Sequence, residues 1–216
     1  MASRAMIVVG GGSSTRFGAD KLMIEIAGKP LILHTIDAVL PSVDRCVVVC
    51  RPDIVETVAT LRPGVTMATG GATRTLSEMA GLASLGGDVD LIGIHDAARP
   101  VVSLAQIEEL FETARTHGGA VPLVEPDGLI VDRRTHQPVA GLRRAQTPQI
   151  FRGPELMASY VRAAQAGFDG HDTAEVIERF SDLRVVGVTG SPDNIKVTYP
   201  VDLDKVRDLL TDPSRT

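Results

Sequence analysis

Met6-Ile7-Val8-Val9-Gly10-Gly11-Gly12-Ser13-Ser14-Thr15-Arg16-Phe17-Gly18-Ala19-Asp20-Lys21 is the stretch on which the reading of this chain turns. Its apolar opening reads as a buried strand, which breaks into three glycines followed by two serines and a threonine. A backbone without side chains can wrap closely around an anion and aim its N–H groups at phosphate oxygens. Arg16 and Lys21, five residues apart, can then neutralise charge that builds up during phosphoryl or nucleotidyl transfer. A Walker loop would end in Gly-Lys-Ser/Thr, but Lys21 is followed by Leu22. The dinucleotide fingerprint fails as well, because Thr15 stands where its third glycine belongs. The plainer alternative is a glycine-rich turn between a strand and a helix.

Downstream, the chain alternates strand-like and helix-like runs. Strands are expected over Ala5–Val9, Arg45–Cys50, Val65–Ala68, Asp90–His95 and Gly119–Leu123. Helices are expected over Leu31–Leu40, Asp53–Leu61 with Asp53 as cap, Thr73–Leu85, and Ser103–His117 with Ser103 as cap. Such alternation implies a mainly parallel sheet with helices on both faces. Glu125–Gln149 breaks the pattern. Strand-like Gly128–Asp132 and Val139–Arg144 flank the turn-like Arg133–Pro138, which predicts a projecting hairpin that pairs with its twin in a second subunit. Helices are then expected over Pro154–Ala166, Asp172–Phe180 and Val201–Leu210, strands over Leu183–Val188 and Ile195–Thr198, and a loose tail over Thr211–Thr216. The whole is expected to be one domain, 1–216, with a β-arm at about 125–149.

Composition narrows the function. The 216 residues are 44% hydrophobic and 23% charged, which is ordinary for a globular domain. Only 3% are aromatic, and the net charge is −5, so nucleic-acid binding is disfavoured. Cys46 and Cys50 share a predicted strand, which separates them by roughly 13 Å and rules out a disulfide between them. Thiols without a framework, no basic-then-apolar leader and no apolar run near 18 residues point to a soluble cytoplasmic protein without a membrane partner.

In doubly wound sheets ligands sit at the carboxyl ends of the strands. That rule gathers Gly10–Lys21, Gly70–Ser77, His95–Pro100 and Asp193–Lys196 into one site. Asp96, just past an apolar strand, suits Mg²⁺, which takes one or two carboxylates plus phosphate oxygens; it could equally cap a turn. Asp193 could share the metal and Lys196 reach a phosphate, although alone this segment is a turn before a strand. Gly71 and Ser77 could read a base edge and a ribose, although alone they belong to a helix cap. His95 suits a buried histidine with no catalytic role. With no nucleophilic triad and no zinc-spaced set, catalysis must rest on positioning and charge.

These segments, in this order, resemble the 2-C-methyl-D-erythritol 4-phosphate cytidylyltransferases. The most specific pieces are His95-Asp96-Ala97-Ala98-Arg99-Pro100, Gln146-Thr147-Pro148-Gln149-Ile150-Phe151, and Asp193-Asn194-Ile195-Lys196-Val197-Thr198 followed by Pro200 and Asp202-Leu203. Gly70-Gly71 with Arg74 and Ser77 fits too. The resemblance implies an α/β, three-layer Rossmann-like nucleotidyltransferase fold with a β-hairpin dimerisation arm. It also implies Mg²⁺-dependent cytidylyl transfer from CTP to 2-C-methyl-D-erythritol 4-phosphate, with release of pyrophosphate. Gly10, Gly11 and Gly12 would cradle the CTP phosphates, Gly71 and Ser77 contact cytosine and ribose, and Arg16 and Lys21 stabilise the transferring phosphorus. Asp96 would contact nucleotide, acceptor and metal, with Asp193 as second metal ligand, and Lys196 would bind phosphate. Arg162 would grip the acceptor across the dimer, and His171, which stands where the family has a threonine that helps hold the acceptor, would contact it too. The family loop usually reads Ala-Ala-Gly-x-Gly, and its proline before the lysine is Asp20 here. Gly128, Pro138, Val139, Arg143 and His171 also depart from the pattern. Alternatives of the same fold use another polyol phosphate or a molybdopterin-type acceptor. An alternative of another class is a catalytically weak nucleotide-binding dimer.

Overall fold

The computed structural model describes residues 2–11, 17 and 20–212. Its strands in chain order are β1 (Arg4–Gly10), β2 (Glu25–Ile26), β3 (Lys29–Pro30), β4 (Arg45–Cys50), β5 (Thr66–Thr69), β6 (Leu91–Asp96), β7 (Gly118–Val124), β8 (Arg144–Ala145), β9 (Gln149–Arg152) and β10 (Arg184–Thr189). The α-helices are α1 (Leu31–Val39), α2 (Pro52–Leu61), α3 (Arg74–Ser84), α4 (Leu104–His117), α5 (Gly153–Gln165), α6 (Thr173–Phe180) and α7 (Pro200–Thr211).

One sheet runs in the order β10-β7-β9-β6-β1-β4-β5, with β8 on β7, while β2 and β3 form a small ribbon. The pairs β6–β1, β1–β4, β4–β5 and β7–β10 are parallel. Among the described strands of this sheet, β9, antiparallel to β6 and β7, and β8 run against the rest.

The two-residue period of the central strands splits the core into two layers. Met6, Val8, Cys46, Val48 and Cys50 pack with α1, α2, α4 and α7 on one face. Ala5, Ile7, Val47, Val49, Ile92 and Ile94 pack with α3, α5 and α6 on the other. Strands covered on both faces read as unbroken apolar runs, as Met6–Val9 and Cys46–Cys50 do. Each such fully buried side chain stabilises by about 1.5–3 kcal/mol. This is the three-layer arrangement expected from the alternation. Both cysteines are free and buried, and burial pushes each thiol up to about 12.

Several local expectations are corrected. Asp53 lies inside the first turn of α2, whose start falls at Pro52 after an Arg51 that makes no side-chain cap. Proline's fixed φ suits the first helical position and makes a capping carboxylate unnecessary. Of the segments Gly128–Asp132 and Val139–Arg144, only Arg144 joins a ladder, as the first residue of β8 opposite Val124 in β7. The two segments meet through one isolated bridge, Val131–Pro138, and the limbs are tied by Glu125–Arg143 at 2.9 Å and by an Asp127–Arg144 ion pair. With both limbs exposed, no core holds a longer ladder together. Ile195–Thr198 alternates like a strand yet pairs with none. Val197 N–H donates to the Ala98 carbonyl instead, at 2.9 Å. β9 fills a central sheet position where no strand was expected. Residues 213–216 of the expected tail lie outside the described residues.

Candidate active site

Parallel registers set the geometry of the site. Val9 lies opposite Asp96 and Gly10 opposite Cys50, so β1, β4 and β6 end along one edge. Gly10 and Gly11, Asp96 to Arg99, and the start of α3 are therefore neighbours. The segment after β10 returns to the same edge. Arg99 donates to the Asn194 carbonyl at 2.7 Å, Asn194 Nδ2 to the Thr147 carbonyl at 2.8 Å, and Gln146 Nε2 to the Ser191 carbonyl at 2.8 Å.

Asp96 is the centre of this edge. It is 5% exposed, and three cations from three segments converge on its carboxylate. Arg74 Nη1 reaches one oxygen at 2.9 Å, and Arg99 Nε and Lys196 Nζ reach the other at 3.1 and 3.0 Å. Burial alone would push the carboxyl up. Lys196, Arg74 and Arg99 outweigh it and hold it well below the usual carboxylate range. Arg74 is in turn shared with buried Glu78, whose Oε1 lies 2.8 Å from its Nε. Glu78 also accepts from the Tyr160 hydroxyl and, at 3.1 Å, from Thr173 Oγ1. Burial raises Glu78 above its ordinary value even beside Arg74. Three cations against two carboxylates leave one net positive charge, before Lys21 is added.

Lys21 opens a short 3₁₀ turn, Lys21–Met23, and its Nζ donates to the Val197 carbonyl at 2.8 Å, one residue from Lys196. Close backbone approaches shape the adjoining wall. A Cβ on Gly10 would stand 2.8 Å from Leu22 Cδ1 and 3.1 Å from Ala97 Cβ. One on Gly11 would stand 2.6 Å from Ser77 Oγ, and one on Gly70 3.1 Å from Gly11 Cα. Cβ atoms essentially never come within 3.0 Å of another heavy atom, so a side chain on Gly11 would displace Ser77, and one on Gly70 would crowd the Gly11 backbone. Ser77 is 2% exposed and donates to the Thr73 carbonyl at 2.9 Å while accepting from Gly71 N–H at 3.1 Å. Thr73 caps α3 as the sequence suggests. Gly12 and Arg16, both expected in the site, lie outside the described residues.

Residues 4–212 match the family model described as IspD, 2-C-methyl-D-erythritol 4-phosphate cytidylyltransferase. The chain belongs to this cytidylyltransferase family. A curated 2-C-methyl-D-erythritol 4-phosphate cytidylyltransferase from Xanthomonas campestris pv. campestris is 36% identical over 227 residues, covering 97% of this chain and 85% of the relative. One from Aquifex aeolicus is 32% identical over 208 residues, covering 94% and 96%. The crystal structure of the Thermus thermophilus enzyme superposes with a TM-score of 0.79 at 24% identity, covering 97% of this chain and 99% of that one, which shows the shared fold.

The remaining residues that the cytidylyltransferase resemblance singles out divide by place. Asp193 stands beside Asn194 on the segment that returns to the strand ends, partly buried. His171 lies on the loop ahead of α6, where its N–H donates to Glu175 at 2.7 Å. Its neighbours reach the site wall: Gly170 N–H donates to Thr75 Oγ1 at 2.9 Å, and Gln149 Nε2 to Asp172 at 3.2 Å. Arg162 is exposed on α5 and lines a surface groove with Arg152, Glu155 and Arg179, which shares no residue with the Asp96 cluster.

His95 is fully buried between Thr147 and Arg99. A carbonyl only accepts, so Nε2 carries the proton toward the Arg99 carbonyl at 3.1 Å. The hydroxyl of Thr147 then donates to Nδ1 at 3.0 Å and accepts from Asp96 N–H at 3.0 Å. Burial lowers the imidazole to about 4, which keeps it neutral. The ring is a strut beneath Asp96, in line with the structural reading of its sequence. Sequence reasoning passed over the roles of Arg74, Arg99 and Glu78. Arg99 stood inside the His95–Pro100 motif, but Glu78 on an amphipathic helix gives no sequence signal at all.

Proposed function

We propose that this protein transfers the cytidylyl group of CTP to 2-C-methyl-D-erythritol 4-phosphate. The acceptor's phosphate oxygen attacks the α-phosphorus, the bond to the bridging oxygen of the β-phosphate breaks, and pyrophosphate leaves. The observation that carries this reading is the meeting of the two lysines. Lys21 from the segment after β1 donates to the backbone one residue from Lys196, which pairs with Asp96. Two lysines and two arginines at the carboxyl end of a doubly wound sheet suit a reaction between two phosphates.

Gly10, Gly11 and Gly12 take the triphosphate, and Gly71 and Ser77 take the cytidine. Arg16 and Lys21 stabilise charge on the transferring phosphorus and the leaving pyrophosphate. Arg99 and Lys196 orient the acceptor phosphate beside Asp96, with His171 at the outer edge. Arg162 acts from a second subunit, held by arms over about 125–149 whose exposed Leu129, Ile130 and Val131 need a partner.

The donors leave room for a divalent cation in one direction only. A carboxylate offers about four acceptor positions, and Asp96 has given three of them to Arg74, Arg99 and Lys196. Among the described residues no three acidic, histidine or cysteine side chains cluster. Mg²⁺ would therefore be held by triphosphate oxygens, the last acceptor position of Asp96, and Asp193. There it would supply charge neutralisation on the phosphates. No helix among the described residues is long and apolar enough to cross a membrane, and a cytoplasmic setting fits the two buried free thiols.

The test is pyrophosphate release by the purified protein with Mg²⁺ and 2-C-methyl-D-erythritol 4-phosphate, comparing CTP, GTP, ATP and UTP. The expected result is release that needs the acceptor and prefers CTP. Release that prefers GTP, or none with this acceptor, would overturn the assignment.

A further inference from the structure

We propose that Asp20 and Arg51 form a clamp that positions Lys21, holding the start of its turn as a proline ring would. The inference rests on the cytidylyl-transfer reading for its catalytic meaning, because it takes Lys21 to act in turnover.

A three-residue 3₁₀ turn has too few internal hydrogen bonds to set its own position. Asp20 supplies both anchors that the Lys21–Met23 turn lacks. Its Oδ1 accepts from Leu22 N–H at 3.2 Å, capping the turn, and its Oδ2 accepts from Arg51 Nη2 at 2.9 Å. Arg51 directly follows β4, whose last residue pairs with Gly10 in the sheet. Asp53 holds the same guanidinium through that Nη2, at 2.8 Å, and through Nε, at 3.1 Å. The chain thus ties the end of β4 to the residue before Lys21, and Lys21 itself reaches the Val197 carbonyl on the far side of the edge. Leu22, 3% exposed beneath Gly10, seats the same turn in the core. Asp20 has φ −74°, inside the window to which a proline ring locks its own φ. Here two polar contacts hold a backbone angle that proline would hold covalently.

The comparison with proline makes the clamp testable. Steady-state pyrophosphate release is measured for the parent, Lys21→Ala, Arg51→Ala, Asp20→Ala, the Asp20→Ala/Arg51→Ala double, Asp20→Pro and Asp20→Pro/Arg51→Ala, each checked for an unchanged unfolding midpoint. Arg51→Ala and Asp20→Ala are each expected to lower kcat about fivefold or more with KM for CTP changed less than about twofold, as displacement of a transition-state group does. The double is expected to be no worse than the poorer single. In the proline background, Arg51→Ala is expected to cost less than about twofold. Asp20→Pro alone is expected to keep kcat within about twofold of the parent, because the ring holds the turn without the ion pair, and a loss as large as that of Asp20→Ala overturns the clamp. So does a rise in KM for CTP in place of a fall in kcat.

A second readout does not need turnover. Lys21 is one of four lysines, with Lys29, Lys196 and Lys205. The rate of its acetylation by acetic anhydride, read by mass spectrometry against Lys205, is expected to rise severalfold in Arg51→Ala and to return toward the parent rate when Asp20→Pro is added. An unchanged rate overturns the clamp. If the parent releases no pyrophosphate, or Lys21→Ala is as active as the parent, the cytidylyl reading fails by itself, and the labelling rates still decide whether Arg51 positions Lys21.

Discussion

Around Asp96, three cations from three segments meet one carboxylate within 3.1 Å, and that carboxylate is buried beneath them. Across the arm the opposite holds. Residues 127–144 are exposed, the limbs meet through one isolated bridge and two exposed ion pairs, and Leu129 is 76% exposed. The Asp96 cluster is complete within one chain, since its charges find their partners at the strand ends. The arm has apolar side chains and no core of its own to bury them in. Substitutions in the cluster should therefore act through chemistry and single-chain stability, and substitutions in the arm through association.

The largest effect should come from the phosphate cations. Lys21→Ala and Arg16→Ala are each expected to lower kcat about 10²–10³-fold with little change in KM for CTP, because such groups serve the transition state. Near-parent turnover of either variant, measured by pyrophosphate release, would remove that residue from the chemistry. Next comes Arg74→Met, which leaves Glu78 buried against only Tyr160 and Thr173 and strips Asp96 of one partner. It is expected to cost about 3 kcal/mol in denaturant unfolding, as removal of one partner of a buried pair does. A loss below about 1 kcal/mol would mean that the pocket is less tightly tied than its geometry indicates.

Smaller effects sharpen the contrast further. If Arg162 binds the acceptor from a second subunit, as proposed, Arg162→Ala should raise KM for the acceptor about tenfold and leave kcat nearly intact. An unchanged acceptor dependence would take it out of the site. His95 gives the pocket a pH signature. Its folded value of about 4 lies below the ordinary 6.5. Between those values the unfolded chain binds a proton that the folded chain refuses, so stability falls as the pH drops from about 6.5 to about 4. This one residue contributes about 1.4 kcal/mol per pH unit. Unfolding midpoints of the parent should fall more steeply across that window than those of His95→Gln, and equal slopes would contradict a buried neutral ring. Smallest for the single chain is the paired change Leu129→Ser, Val131→Ser. It should alter monomer stability by less than about 0.5 kcal/mol while shifting sedimentation from dimer toward monomer. A clear loss of single-chain stability would show that the arm packs on its own chain.

The central strands were legible because they are covered on both faces. Met6–Val9 and Cys46–Cys50 must be apolar throughout to fit between two helix layers. β9 was not legible, since four residues starting at a buried glutamine carry little periodicity, and its place between β6 and β7 depends on pairing with distant segments. The Ile195–Thr198 segment misled for the reverse reason. Its alternation is real, yet Val197 gives its N–H to Ala98 and its carbonyl to Lys21, which leaves no ladder to join. The site motifs were readable as residue types in order, with Asp96 and Lys196 ending within 3.0 Å of each other. That Glu78 would share Arg74 was not, because the partner of a helical glutamate depends on what packs over it.

The sequence by itself determined the alternation of elements, the family, and the residue types that a reaction between phosphates needs. Each of these is written in local spacing and side-chain chemistry. Only the tertiary structure decided which charges pair, that three cations converge on Asp96, and that Arg51 reaches back to Asp20. Those outcomes depend on strand order and register, which bring residues as far apart as positions 20, 51, 96 and 196 to one edge of the sheet.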